Sequence, residues 1–307
     1  MTRPIAWASE SALRIDRAHY VLLRAPDPRA ASQFAVRRLG FTLVHVDGEG
    51  RHYLAGHGLD RYSLVYAPGD AGLGYMSYLV RSLGDLDVAA AALAAAGAPC
   101  ERRNESEMWN RGPALRFSHA NGESIELTTG VNVDGLMHWA VVGSRSAPAP
   151  ITCDHAILRA SDVAAANAFL SGVMGLRESG RIVAPDGIPV LTFYRAHTLY
   201  HCLGTARSSR NGLHHVAFTL KNDLALFAAH EAMRNSGEVE ILWGPVRHGE
   251  GGNIAFYFRD QAGHILEFSA EEEVILNDDT YTADAWPVSV VRASDEWGTH
   301  PPAAMMG

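Results

Sequence analysis

Tyr20–Asp27 reads YVLLRAPD and His155–Asp162 reads HAILRASD. Arg, Ala and Asp coincide without a gap at a separation of 135 residues. Each segment is a short apolar run that predicts a strand, and each leads into a helical pattern, PRAASQFAVRRLGF in the first copy and VAAANAFLSGVMGL in the second. Asp27 and Asp162 stand where the helix N-caps are expected, since a short acidic side chain can accept from the first free backbone N–H groups. Further on, RFSHANGESIEL (Arg116–Leu127) resembles FYFRDQAGHILEF (Phe256–Phe268). Aligning Gly122 with Gly263 brings Glu126 onto Glu267. Between these anchors each half has a second strand–helix passage. In the first half it is YMSYLV followed by a helix near Leu86–Ala96; in the second it is HHVAFTL followed by a helix near Leu224–Asn235.

The expected fold is therefore α+β. Two tandem domains each carry paired βαβββ modules that form an incomplete barrel. The repeat is much longer than the 20–50 residues of a solenoid, so it speaks for duplication. The expected boundaries are 1–135 for a metal-free domain, 151–276 for a catalytic domain and 277–307 for a C-terminal extension. The junction Gly130–Pro150 ends in SRSAPAP, whose prolines and small residues suit a linker. The extension, with Trp286 and Trp297, is a candidate cover for a site or a subunit contact.

Composition narrows the function classes. Of 307 residues, 47% are hydrophobic and 20% charged, which excludes a disordered chain. The net charge of −8, without a basic block, argues against nucleic acid as a partner. No apolar run is long enough to span a bilayer, so no membrane role is expected. The N-terminus lacks the continuous apolar core of a secretory signal. The three scattered cysteines form neither a disulfide framework nor a zinc pattern and fit a reducing, cytoplasmic setting. The conspicuous count is 15 histidines.

Three ligand-type residues occur together in one half only. His155 lies on the first strand of the second half, His215 on its middle strand and Glu267 on its last. Strand alternation gives each of them apolar or small neighbours on its own face. Two imidazoles and a carboxylate aimed into such a barrel need a compensating charge. A divalent metal would supply it, and two His plus one carboxylate on one face of an ion is the arrangement of non-haem iron oxygen chemistry. The first half has Tyr20 opposite His155 and, by a looser match, Tyr75 opposite His215, and keeps only Glu126. That is the pattern of one functional and one structural module.

These residues resemble the type I extradiol ring-cleavage dioxygenases of the vicinal oxygen chelate superfamily, the catechol 2,3-dioxygenase kind. The carrying motifs are DHAIL (Asp154–Leu158), LHHVAF (Leu213–Phe218) and RHGEGGNIAFYFRDQAGHILEF (Arg247–Phe268). The resemblance implies Fe(II), in some members Mn(II), bound by His155, His215 and Glu267. It implies catalytic roles for His248 and Tyr257 at the substrate oxygens. By the match of AHTL (Ala196–Leu199), it also implies His197 as the acid–base residue, with His201 as competitor. The implied substrates are a catecholic small molecule and O2, both of whose atoms enter the opened ring, and the implied assembly is a homo-oligomer. Two other readings on the same fold stay open: a glyoxalase-like metal isomerase or epimerase, and a small-molecule-binding module. Asp260 in RDQAG is expected to be a turn residue.

Overall fold

The computed structural model describes residues 12–131 and 148–306. Most of the expected linker, residues 132–147, lies outside the described residues. The first half contributes strands β1 (Ile15–Ala25), β2 (Thr42–Val46), β3 (His52–Ala55), β4 (Leu64–Pro68), β5 (Gly72–Val80), β6 (Cys100–Arg103), β7 (Ala114–Ser118) and β8 (Ser124–Thr129). The second contributes β9 (Thr152–Ala160), β10 (Arg177–Val183), β11 (Pro189–Arg195), β12 (Leu203–Arg207), β13 (Gly212–Thr219), β14 (Ile241–Arg247), β15 (Ile254–Arg259), β16 (Ile265–Ala270) and β17 (Asp284–Pro287). Helices α1 (Pro28–Arg38), α2 (Leu83–Ala95), α3 (Val163–Ala168) and α4 (Asp223–Ser236) fall between the strands, one per βαβββ module.

The duplication is plain in the strand order. The first sheet runs β2-β3-β4-β1-β5-β8-β7-β6, and the second runs β10-β11-β12-β9-β13-β16-β15-β14, with β17 added beyond β10. Among the described residues neither sheet closes into a full barrel, because its two outermost strands do not pair with each other. Both expected caps form: Asp27 accepts from Ala30 N and Asp162 from Ala165 N, each at 2.9 Å. α1 and α4 bury one face each, through Phe34 and Ala35 and through Leu226, Ala229 and Met233. α3 passes directly into a π-helical turn, Phe169–Val173, so the second copy of this helix is shorter and looser than the first.

The core runs across both halves. Phe41 meets Phe218 edge to face, with ring centroids 5.0 Å apart. The Tyr66 hydroxyl donates to Asp260 Oδ2 at 2.6 Å, and the Tyr78 hydroxyl to the Cys202 carbonyl at 3.2 Å. Asp60 accepts from Arg17 at 2.6 Å and from Thr152 at 2.9 Å. Asp260 is in a turn, as expected: its Oδ1 accepts from the backbones of Ala262 and His264. It also ties the halves together through Tyr66. Among the described residues no helix is long and apolar enough to cross a membrane.

Candidate metal centre and active site

Backbone pairing brings the three ligand-type residues to one place. β13 lies beside β9, with His215 opposite Ile157, and beside β16, with Ala217 opposite Glu267. The imidazoles of His155 and His215 and the carboxylate of Glu267 each offer an atom within 4.8 Å of the others. All three are buried. His155 Nε2 and His215 Nε2 lie 3.2 and 3.1 Å from Glu267 Oε2. The other nitrogens are engaged: His155 Nδ1 with Asp154 Oδ2 at 3.2 Å, and His215 Nδ1 with His214 Nδ1 at 2.7 Å. Holding Nδ1 in this way directs Nε2 inward, as partners behind metal-binding histidines do. Glu267 Oε1 is buried and has no hydrogen-bond partner among the described residues.

The electrostatics describe a site short of positive charge. Burial alone would push the Glu267 carboxyl up, but His155 and His215 outweigh it and hold it well below the ordinary range. Burial also pushes the His155 imidazole down, yet Glu267 and Asp154 together raise it to about 10. His215 is lowered, burial being the main cause. In this balance a proton on His155 stands where a metal's charge would stand. Two imidazole nitrogens and a carboxylate with one unpartnered oxygen fit a divalent ion.

The first half meets the corresponding carboxylate with protein groups. Tyr20 takes the place of His155. Tyr75, opposite Leu22, takes that of His215, opposite Ile157. Glu126 is fully buried like Glu267, but its charge is met by protein. Arg111 Nη1 and Arg116 Nη2 lie 2.8 and 2.6 Å from Glu126 Oε2. Tyr20 donates to Oε1 at 2.7 Å and Ser77 at 3.2 Å. Arg116 stands opposite Glu126 in the β7–β8 ladder, where the second half has Tyr257 opposite Glu267 in the β15–β16 ladder.

Around the second-half cluster is a cavity lined in part by His155, His201, His215, His248, Tyr257 and Glu267. His248 Nδ1 donates to the Ser294 carbonyl at 2.6 Å. Its Nε2 is therefore the acceptor, and the Tyr257 hydroxyl donates to it at 2.8 Å. Burial lowers the His248 imidazole and raises the Tyr257 phenol, the latter helped by the Glu267 charge. Both groups are thus neutral, and each can exchange a proton with the other. Tyr257 points away from Phe256 and Phe258, which pack in the core.

Of the two histidines considered for the acid–base position, it is His201 and not His197 that lines the cavity. β11 ends at Arg195, so His197 lies in the following turn and not on a strand. It does not line the cavity, and its Nδ1 accepts from Leu199 N at 3.1 Å. The turn carries the chain back, and it is His201 that lines the cavity. The His201 ring lies 3.8 Å from that of His155, centroid to centroid. Glu272 Oε1 accepts from its backbone N–H at 2.7 Å and meets its Nδ1 at 2.6 Å, which leaves Nε2 for the cavity. Burial lowers its imidazole well below the usual value.

Sequence reasoning missed other parts of the wall. Ser294, Pro301 and Met305 of the C-terminal extension line the cavity, as does Trp243. The extension therefore does cover the site, but not through its tryptophans. Trp286 sits on β17 beside Ile182, and Trp297 stacks on Phe227 with half its surface exposed. Asn253, also in the lining, donates to Ser269 Oγ at 3.0 Å.

Residues 152–268 match the profile of the Glyoxalase/Bleomycin resistance protein/Dioxygenase superfamily. A curated relative is metapyrocatechase 2 of Cupriavidus necator, 29% identical over 156 residues, which are 50% of this chain and 46% of that protein. The chain thus spans about half the length of the curated relative it matches. Among solved structures, homoprotocatechuate 2,3-dioxygenase from Arthrobacter globiformis is similar with a TM-score of 0.85 at 24% identity, over 99% of this chain and 94% of that one. Homoprotocatechuate 2,3-dioxygenase from Brevibacterium fuscum, in complex with 3,4-dihydroxyphenylacetate, gives 0.84 at 25% identity over 99% and 94%. The 2,3-dioxygenase LapB from Pseudomonas sp. KL28 gives 0.82 at 24% identity over 90% and 98%. The fold of these proteins thus extends across both halves of this chain.

Proposed function

We propose that the protein cleaves a catecholic ring beside its diol, an extradiol reaction that incorporates both atoms of O2. His155, His215 and Glu267 would hold one Fe(II), or Mn(II) in its place. The observation that carries this reading is the buried Glu267 carboxylate, its Oε2 between two inward-facing imidazoles and its Oε1 unpartnered, in one cavity with His201 and the His248–Tyr257 pair. When bound, the metal supplies the Lewis acidity that favours a catecholate and the redox capacity that O2 chemistry requires.

The protein's own groups handle protons and position. A substrate hydroxyl set against Tyr257 can donate to the phenol oxygen, whose own proton already points to His248 Nε2. The proton then leaves the substrate along this pair. His201, held through Nδ1 by Glu272, offers Nε2 to return a proton as the ring opens. The apolar walls exclude water, which strengthens each of these hydrogen bonds. An isomerase or a binding module has no use for the His248–Tyr257 pair and His201 beside the triad. A homo-oligomer is proposed with this function; the edge strand β2 exposes Leu43, Val44 and Val46, an apolar surface such an assembly could cover.

The test is anaerobic reconstitution with Fe(II), followed by oxygen uptake with catechol. Elemental analysis should find about one ion per chain, lost in His155→Ala, His215→Ala and Glu267→Ala. His201→Phe should keep metal and substrate binding while turnover falls by about 10²–10⁴-fold, and His197→Phe should be mild. Full metal retention in any triad variant removes that residue from the site. Loss of turnover in the His197 variant with retention in the His201 variant overturns the assignment of the proton donor.

A further inference from the structure

The cavity is not uniform along its length. β9 places His155, Ile157 and Arg159 on one face, each two residues from the next. At about 3.3 Å per residue, Arg159 lies roughly 13 Å from His155 along the strand. The same cavity is lined by the apolar side chains of Ile157, Ile182, Val190, Leu191, Phe193 and Trp243. Both arginines of the lining are engaged with other groups. Arg159 donates to the Leu213 carbonyl, and Arg207, at the end of β12, pairs with Asp186 at 3.0 Å. Glu250, also in the lining, brings no positive charge.

A diol held at the triad by both oxygens directs the remainder of its ring into this apolar stretch. A carboxylate one carbon from the ring would come to rest among these apolar side chains, stripped of water, with both lining arginines already engaged elsewhere. Burying a charge without a partner is strongly unfavourable, whereas each buried CH₂ is favourable. From this gradient we infer that the pocket takes a catechol bearing an apolar alkyl or aryl substituent and rejects one bearing a carboxylate close to the ring. The inference rests on the ring-cleavage reading above and names the substrate class of that same site.

The test is calorimetric binding to the Fe(II)-loaded protein without oxygen, using catechol, 4-ethylcatechol, 3-phenylcatechol and 3,4-dihydroxyphenylacetate. The alkyl and aryl catechols should bind about tenfold or more tighter than catechol, and 3,4-dihydroxyphenylacetate more weakly than catechol. Leu191→Ala should reduce the alkyl advantage, the ratio of 4-ethylcatechol to catechol affinity, about threefold or more. Binding of 3,4-dihydroxyphenylacetate as tight as that of 4-ethylcatechol overturns the inference, as does an alkyl advantage untouched by Leu191→Ala. If catechol itself does not bind, the ring-cleavage reading fails instead, and the two failures are distinct.

Discussion

Arg111→Met tests the contrast between the two glutamates. Arg111 and Glu126 have fully buried side chains with Nη1 and Oε2 2.8 Å apart. Arg111 also donates to the carbonyls of Gly112 and Asn104. Removing one partner of a buried ion pair typically costs 3–5 kcal/mol, because the other charge is left uncompensated. Here Arg116 and Tyr20 stay on Glu126, so the lower end, about 3 kcal/mol, is expected. In the double variant Arg111→Met/Glu126→Leu no buried carboxylate remains, and Arg116 can fall back on Glu107, already 3.1 Å away. About half or more of the loss should return, since apolar replacement of a whole buried pair is often neutral. The assay is urea unfolding of the four proteins of the cycle, read from midpoints at constant slope. Metal content should not change in any of them. A loss below about 1 kcal/mol for Arg111→Met, or a double variant no more stable than the single, would refute the reasoning.

Two further outcomes are expected. Burial, with Asp284 nearby, raises the Glu250 carboxyl to about 8, so the folded protein keeps a proton that the unfolded chain releases near 4.5. Its stabilising contribution is complete below about 4.5 and is lost as pH rises to about 8, at up to roughly 1.4 kcal/mol per pH unit. Glu250→Gln should flatten the stability profile over that window, and parallel profiles would count against it. Ending the chain after Val290 removes the Ser294 carbonyl from His248 and Pro301 and Met305 from the wall. Metal content should persist while turnover falls about tenfold or more, since a general acid–base group must be held in place to act; unchanged turnover would separate the extension from the site.

The fold was legible because the chain states it twice. The Arg-Ala-x-Asp match at β1 and β9 and the glutamates of β8 and β16 set the frame, and both Asp caps follow from helix chemistry. The triad was legible for the same reason: Tyr20 and Tyr75 mark, by their difference, the places of His155 and His215. Which of two histidines faces the cavity was not. Choosing between His197 and His201 depends on where β11 ends and how its turn returns, and nothing in the local sequence states that. The contribution of Ser294, Pro301 and Met305 was hidden because the extension has no copy in the first half to compare.

The two halves then argue the chemistry between them. At the position opposite the buried glutamate, one copy has Arg116 and the other Tyr257. The same separation of 141 residues that aligns Glu126 with Glu267 aligns these two, so the exchange could be read from the sequence alone. An arginine there neutralises the carboxylate permanently and fills the space. A tyrosine leaves the charge in place and offers only a hydroxyl, already directed to His248. A buried carboxylate without a fixed cation is costly unless something else brings the charge. The second half therefore retains the requirement for a cation that the first half has met with its own side chains. On the function proposed above, that is why one metal centre would suffice for the duplicated fold, and why the groups proposed to handle protons lie around Glu267 and not around Glu126.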